Sequence, residues 1–225
     1  NLQEKKAMTL RLRIGGDRNI LNSANSTALK FLPTDTAYEA VFSFLIAVVG
    51  FGSLVDVYKS KPDEGAKPWA DENYAAFDGL LCNVTLRWQP RPVVYSAIMN
   101  SLPPEIYFEQ YEVAPLSAGE TVNLGVLEHF IFGLSQMMIV SYVENHKHHL
   151  KAKYGSIASW PMVWQFARIV RNAMSHGNKL NITDGKSAMW KGLTYSDTGN
   201  GRAVVNADLF PGDLIVLLRE LEDAL

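Results

Sequence analysis

Ser159-Trp160-Pro161-Met162-Val163-Trp164-Gln165-Phe166-Ala167-Arg168-Ile169-Val170-Arg171-Asn172-Ala173-Met174-Ser175-His176-Gly177 is the stretch on which the reading of the fold turns. It has a start, a body and a stop. The Ser159 hydroxyl can take an orphan backbone N–H, and Pro161 stands in the first turn, where its missing N–H costs nothing. Val163, Phe166, Val170 and Met174 recur at three- and four-residue spacing, so one side of the helix is apolar. Gly177 is placed to end it in a left-handed conformation.

Working outward, a long helix is expected over 122–151. It follows a capping box at Ser117-Ala118-Gly119-Glu120 and carries the row Leu127, Ile131, Leu134 and Met138. On the other side, 188–195 and 202–206 read as two strands joined by the turn residues 196–201. A last helix starts between Asp208 and Asp213, with Leu214, Leu217, Leu218, Leu221 and Leu225 on its core side. Towards the N-terminus, Thr36-Ala37-Tyr38-Glu39 is a second capping box, opening a helix that runs to Lys59. The turn Lys61-Pro62-Asp63-Glu64-Gly65 ends it.

Tyr74, Phe77, Leu81, Val84 and Trp88 then predict a helix over 70–88, stopped by Pro90 and Pro92. A short helix follows over 93–102, before Pro103-Pro104. Leu10, Leu12 and Ile14 alternate with arginines, a weak strand signal that ends at Gly15-Gly16. The rest of 1–33 is rich in Asn and Ser and reads as an arm or loop. These signals add up to a mainly α protein: one helical-bundle domain over 34–225, with a small β-hairpin inserted before the last helix.

Composition narrows the class. The chain has 225 residues, 48 % of them hydrophobic, which is ample for a core and excludes a disordered chain. The first residue is Asn, as in a trimmed chain. Cys82 is the only cysteine, so no internal disulfide forms and a reducing, cytoplasmic setting is expected. Asn25, Asn83 and Asn181 head Asn-x-Ser/Thr triplets that are chance matches without a secretory signal. The apolar run 40–55 spans about 16 residues, short of the roughly 20 of a spanning helix, and Glu39 and Asp56 bracket it. It reads as a core helix, with no membrane partner.

The net charge of −2 hides an uneven distribution. Between Asn145 and Lys191 stand Lys147, Lys151, Lys153, Arg168, Arg171, Lys179, Lys186 and Lys191 against Asp184 alone. A locally basic face can hold phosphates whatever the total charge.

Within that stretch, Arg171-Asn172-x-x-x-His176 carries chemistry suited to RNA. Asn172 and His176, four apart, share a helix face. Arg171 and His176 are five apart, about 140° around the axis. They converge only because the helix ends here, or because two copies meet across a dimer axis. A guanidinium matches phosphate oxygens with a planar fork, and an imidazole can move a proton to or from a ribose oxygen. Asn172 can orient either. RNA brings its own nucleophile, the 2′-hydroxyl.

The string RIVRNAMSHG, with an apolar helix before it, resembles the signature motif of the HEPN family, and the resemblance covers about 120–225. It implies a bundle of four or five helices, often a homodimer with two motifs facing one cleft. It implies a metal-independent endoribonuclease of toxin or antiviral-defence type, with an antitoxin or nucleotidyltransferase as partner. Carried over, Arg171 and His176 are catalytic and Asn172 supports them. Lys151, Arg168, Ser175 and Lys179 would hold RNA, and Glu128 or Glu144 would be the supporting acid from the preceding helix. No cofactor or metal is implied. Other members only bind RNA or nucleotides, so a non-catalytic binding or regulatory module is the alternative. A third possibility is a structural protein in which the motif is incidental.

Other groups carry less. His146 and His149, with Glu144, are too few for a metal site and read as a solvated helix end. Trp160, Trp164, Trp190, Tyr154 and Tyr195 could stack bases, but the spacing of Trp160 and Trp164 suits core or dimer contacts better. Cys82 reads as a small buried hydrophobe. There is no glycine-rich phosphate loop, nucleophile elbow or zinc pattern.

Overall fold

The computed structural model describes residues 8–225 except 17, 61–67, 118–121 and 126, and only the backbone of 22–26. In chain order the elements are β1 (Thr9–Ile14), β2 (Ile20–Phe31), α1 (Tyr38–Lys59), β3 (Asn73–Gly79), β4 (Val84–Trp88), α2 (Pro90–Ile98), β5 (Ile106–Val113), α3 (Leu127–Tyr154), α4 (Met162–Ser175), β6 (Ala188–Trp190), β7 (Leu193–Tyr195) and α5 (Pro211–Asp223).

Helix makes up 46 % and strand 22 % of the molecule, so the mainly α expectation is corrected to an α/β fold. Its centre is a curled, half-barrel sheet. The strand order is β1-β3-β4-β5-β2, with β1 parallel to β3 and the other neighbours antiparallel.

The helix expected over 70–88 is the β3–β4 hairpin. The same residues satisfy both periods. Phe77, Val84 and Trp88 fit a helical stripe, yet Ala75 and Phe77, then Val84, Leu86 and Trp88, alternate as a strand's inward face, and all five are buried. Distant contacts decide the matter. The fully buried Asp213 carboxylate accepts N–H bonds from Leu80 and Cys82 in the turn, each at 2.9 Å. Pro90 therefore opens α2 rather than stopping a helix.

The stretch read as an arm supplies two strands. β1 and β2 are consecutive in sequence yet lie at opposite edges of the sheet. Their link crosses the sheet's end. Arg18 donates to Gly79 O at 2.8 Å and Asn83 Oδ1 at 3.1 Å, and Ala114 N donates to Asn19 O at 2.9 Å. The Asn- and Ser-rich β2 pairs with β5 through irregular register, and Leu29 and Phe31 bury its far end.

α1 begins close to where it was expected, without the expected capping box. Glu222 on α5 takes the role of Glu39, accepting from Thr36 N at 3.0 Å, Thr36 Oγ1 at 2.8 Å and Ala37 N at 2.9 Å. Tyr142 OH adds a fourth bond at 2.8 Å. α1 is long and apolar enough to cross a membrane, with mean hydropathy 2.2. Here Tyr38, Val41, Phe44, Leu45, Val48 and Val49 bury one side of it in the core.

α3 and α4 form where helices were expected and pack side by side, burying Ile131 and Met138 on one and Phe166, Val170 and Met174 on the other. The capping box at Ser117–Glu120 lies mostly outside the described residues. The strand expected over 188–195 folds back on itself. Lys191 at φ +49 and Gly192 at φ +84 form its two-residue loop, both left-handed as tight hairpins require. The second expected strand, 202–206, is reduced to isolated bridges, Lys179 to Ala203 and Val205 to Leu209. α5 then packs its fully buried Leu214, Leu217, Leu218 and Leu221 between the sheet and α3 and α4.

Candidate functional site at the end of α4

α4 holds the motif against α3. Gln136 Nε2 donates to Met174 O at 3.2 Å, and eight residues later Glu144 meets Arg171, so the two helices are antiparallel. Arg171 Nε lies 2.8 Å from Glu144 Oε1 but off the N–H direction, which makes the pair an ionic contact rather than a hydrogen bond. Arg171 Nη1 donates to Asn172 Oδ1 at 3.0 Å. The arginine is thus oriented from both sides while about a quarter of its side chain, 27 %, stays open to solvent.

His176 is the residue on which α4 ends. Its backbone N–H bonds to Asn172 O and Ala173 O, and its side chain is exposed. Among the described residues the imidazole has no hydrogen-bond or ion-pair partner. Gly177 at φ +69 ends the helix as expected, and Asn178 repeats the left-handed turn at φ +67. Asn178 then clamps the exit. Its side chain donates to Val205 O and accepts from Val205 N, both at 2.7 Å. An Asn following the helix-ending Gly is the sequence signal for this residue, which motif reading passed over.

Of the two candidate acids, α3 brings Glu144 to the motif and leaves Glu128 away from it. Sixteen residues of helix place Glu128 about 24 Å further along α3. There its main-chain oxygen accepts from Asn206. Lys151 is exposed on the Glu144 side of α3, two turns on. Ser175 and Lys179 are exposed beside His176. Arg168 is engaged with Asp184 at 3.3 Å, and both line a small cavity of about 50 Å3 with Asn172, Asn181 and Thr183. Burial works to raise the Asp184 carboxyl, but the Lys186 N–H and the Arg168 and Lys186 charges outweigh it and lower its pKa.

Most of the remaining candidates are framework. His149 is exposed, as on a solvated helix end, but His146 departs from that expectation. His146 bonds through Nδ1 to Tyr142 O at 2.8 Å and packs on the rings of Tyr142 and Trp164, centroids 4.4 and 5.8 Å away. No group of three metal-ligand side chains occurs among the described residues. Trp160, Trp164, Trp190 and Tyr195 are buried, with Phe166 stacked on Tyr195 at 5.1 Å, so they pack the core instead of offering faces to bases. Burial, with Asp213 alongside, pushes the Cys82 thiol up, the opposite of what a nucleophile needs.

Compared with protein-family models, curated proteins and solved structures, the chain matches none.

Proposed function

We propose that this chain is a HEPN-type endoribonuclease acting in the cytoplasm, cleaving RNA at the end of α4 by attack of the substrate's own 2′-hydroxyl. One observation carries the reading: a carboxylate from the preceding helix, Glu144, holds Arg171 one turn before an exposed histidine that ends the helix. The resemblance implies an acidic or polar residue from a preceding helix, and the contact of Glu144 with Arg171 supports that role for Glu144.

In this reaction the 2′-oxygen bonds to the adjacent phosphorus as its proton passes to a base. The bond from phosphorus to the 5′-oxygen breaks, and that oxygen takes a proton. The products are a 2′,3′-cyclic phosphate and a 5′-hydroxyl. His176 moves the protons. Arg171 faces the phosphate, where charge builds. Asn172 and Glu144 position Arg171. Lys151, Lys179 and Ser175 touch the RNA backbone, with Arg168 behind them on Asp184.

At the end of α4 one chain brings a single imidazole, that of His176, with no partner among the described residues to orient it, and proton transfer at two oxygens is served better by two. The working form is therefore a homodimer with facing motifs. A toxin or defence role, with an antitoxin or nucleotidyltransferase partner, belongs to the same reading. The unpartnered imidazole is also the observation that favours the second reading, an RNA- or nucleotide-binding module without catalysis.

The test is purified protein, varied structured RNAs, excess chelator and end-group analysis. The expected result is cleavage that survives the chelator, leaves a cyclic phosphate and disappears in Arg171→Ala and His176→Ala. Binding without cleavage selects the second reading. Neither binding nor cleavage makes the motif incidental.

A further inference from the structure

α1 is apolar along most of its length, yet only 28 % of its most apolar window is buried. The uncovered side is regular. Ser43, Ile46, Gly50, Leu54 and Val57 recur every three or four residues, away from the side packed on the core. Leu54 and Val57 are 51 % and 53 % exposed. α3 lies alongside with a matching stripe of Phe130, Leu134, Met137 and Ser141, and Met137 is 69 % exposed. The two helices are antiparallel. Phe51 meets Phe130 with ring centres 4.8 Å apart, while nearer the start of α1 Glu39 and Ser43 share a groove of about 290 Å3 with Met137 and Ser141.

An apolar face of this extent marks an interaction site. From Glu39 to Tyr58 it is about 30 Å long, and two helices make it about 20 Å wide. That outline is roughly 600 Å2, and more in accessible surface, against about 800 Å2 from each partner in a standard protein interface. A bilayer is a poor cover. Neither stripe holds a lysine or arginine to attract anionic lipid. A flat lipid surface leaves the groove unfilled, and α1 is locked to the sheet through Phe44 and Phe77, whose ring centres are 5.4 Å apart. The relief of the face points elsewhere. Gly50 and Gly133 are hollows, with nothing within 4 Å of where a Cβ would stand, and Met137 and Leu54 stand up beside them. A face that carries both knobs and hollows can mate with a copy of itself across a two-fold axis.

We propose that the α1–α3 face is where a second copy of the chain packs. The choice of occupant rests on the RNA-cleavage reading, which calls for two motifs, and the face runs into the motif. On α3 the stripe continues from Met137 and Ser141 to Glu144, the residue that holds Arg171. An axis beside Met137 leaves Glu144 only about 10 Å away along the helix. Gln136, next to Met137, bonds to Met174 O near the end of α4. The same axis therefore brings both α4 ends, each with its His176, to one cleft.

The test is sedimentation of the full chain at micromolar concentration, with circular dichroism and thermal melts to show that each variant is folded. Met137→Glu sets a charge in the face from α3, and Ser43→Arg fills the groove from α1. Each should weaken the dimer at least about thirtyfold, the scale of a central contact residue. Ile20→Glu is the control. Ile20 is 51 % exposed beside Arg87 on the far side of the sheet, and its substitution should leave the dimer intact. Flotation with phosphatidylcholine–phosphatidylglycerol vesicles should recover no protein. The proposal is overturned if the wild type is a monomer at about ten micromolar, if both face variants are folded and dimerise as the wild type does, if Ile20→Glu splits the dimer equally, or if vesicles carry the chain. RNA assays on the same preparations separate the two readings. A dimer that the face variants split but that cuts no RNA keeps this interface and removes the ribonuclease reading, whereas a monomer that cuts RNA does the reverse.

Discussion

Glu144 of α3 and Arg171 of α4 face each other at 2.8 Å across antiparallel helices, with Asn172 Oδ1 accepting from the far side of the same guanidinium. The pair is partly open, the two side chains being 27 % and 38 % exposed, so solvent screens its contribution to stability. Its effect on the site is geometric. Glu144→Gln is expected to change stability by less than about 1 kcal/mol. RNA cleavage should fall roughly tenfold to hundredfold, the scale on which a misplaced reacting group is felt. RNA binding should hold or tighten, because a negative charge has gone. Denaturant melts and single-turnover rates on one preparation check all three. Glu128→Gln, about 24 Å along the helix, should leave the rate unchanged.

Glu222 makes the start of α1 sensitive to acid. Burial alone would raise its carboxyl, but hydrogen bonds from Thr36, Tyr142 and Ala37 outweigh that and hold the pKa below its ordinary value. A carboxyl whose pKa is lowered by folding stabilises the fold above its unfolded pKa, and that contribution is lost as pH falls through the folded value. Glu222→Gln should therefore cost about 1 kcal/mol at neutral pH, the usual worth of such bonds at a partly open site. The gap from wild type should close on acidification. Urea midpoints across a pH series measure it, and a gap that stays constant would count against the assignment.

Asn178 sits in a left-handed turn at φ +67 and uses both ends of its amide on Val205. Asn178→Gly keeps the backbone freedom and removes the clamp, so it isolates the two bonds. A loss of roughly 1–3 kcal/mol is expected, with the slope of the denaturant curve unchanged. An equal loss in Asn178→Asp would show that donation to Val205 O matters most.

The half of the chain that carries the motif was the more legible. α4 announced its stop at Gly177, and α5 its core side, because glycine and a clean 3.6-residue period are local signals. The start of α4 was not legible, since Pro161 lies at the cap position rather than in the first turn and Ser159 pairs with Ser156 instead of capping the helix. The main sheet was not legible for three reasons. Phe77, Val84 and Trp88 satisfy helical and strand periods at once. β2 is written in Asn and Ser. The β3–β4 turn is held by Asp213, more than a hundred residues away. At the site, residue types suggested Arg171, Asn172 and His176, but choosing Glu144 over Glu128 required knowing which turn of α3 lies level with Arg171.

The contact between the α5 start and the β3–β4 turn offers the sharpest test of how the sheet is locked to the helical half. Gly212 and Gly79 meet backbone to backbone. A methyl group on Gly212 would stand 2.4 Å from Gly79 N and 2.6 Å from the main-chain carbon of Asp78. Neither is the tip of a flexible side chain, so neither can swing away, and Gly212→Ala should cost about 1–3 kcal/mol through forced backbone shifts. Next to it, the Asp213 carboxylate accepts from the N–H groups of Phe210, Leu80 and Cys82. Asp213→Ala leaves those donors without a partner and should cost roughly 2–4 kcal/mol, the loss of a helix cap plus unsatisfied buried groups. Burial raises the Asp213 pKa, so the ionised carboxylate is held at some cost, and stability from this group declines as pH rises from its unfolded pKa towards its folded one. Asp213→Asn carries no such cost but keeps only one acceptor oxygen. It should be less damaging than Asp213→Ala, and its deficit should shrink as pH rises through that window. Chemical denaturation of the three variants at two pH values decides the point. Wild-type stability in Gly212→Ala would mean that α5 does not dock this closely on the hairpin turn.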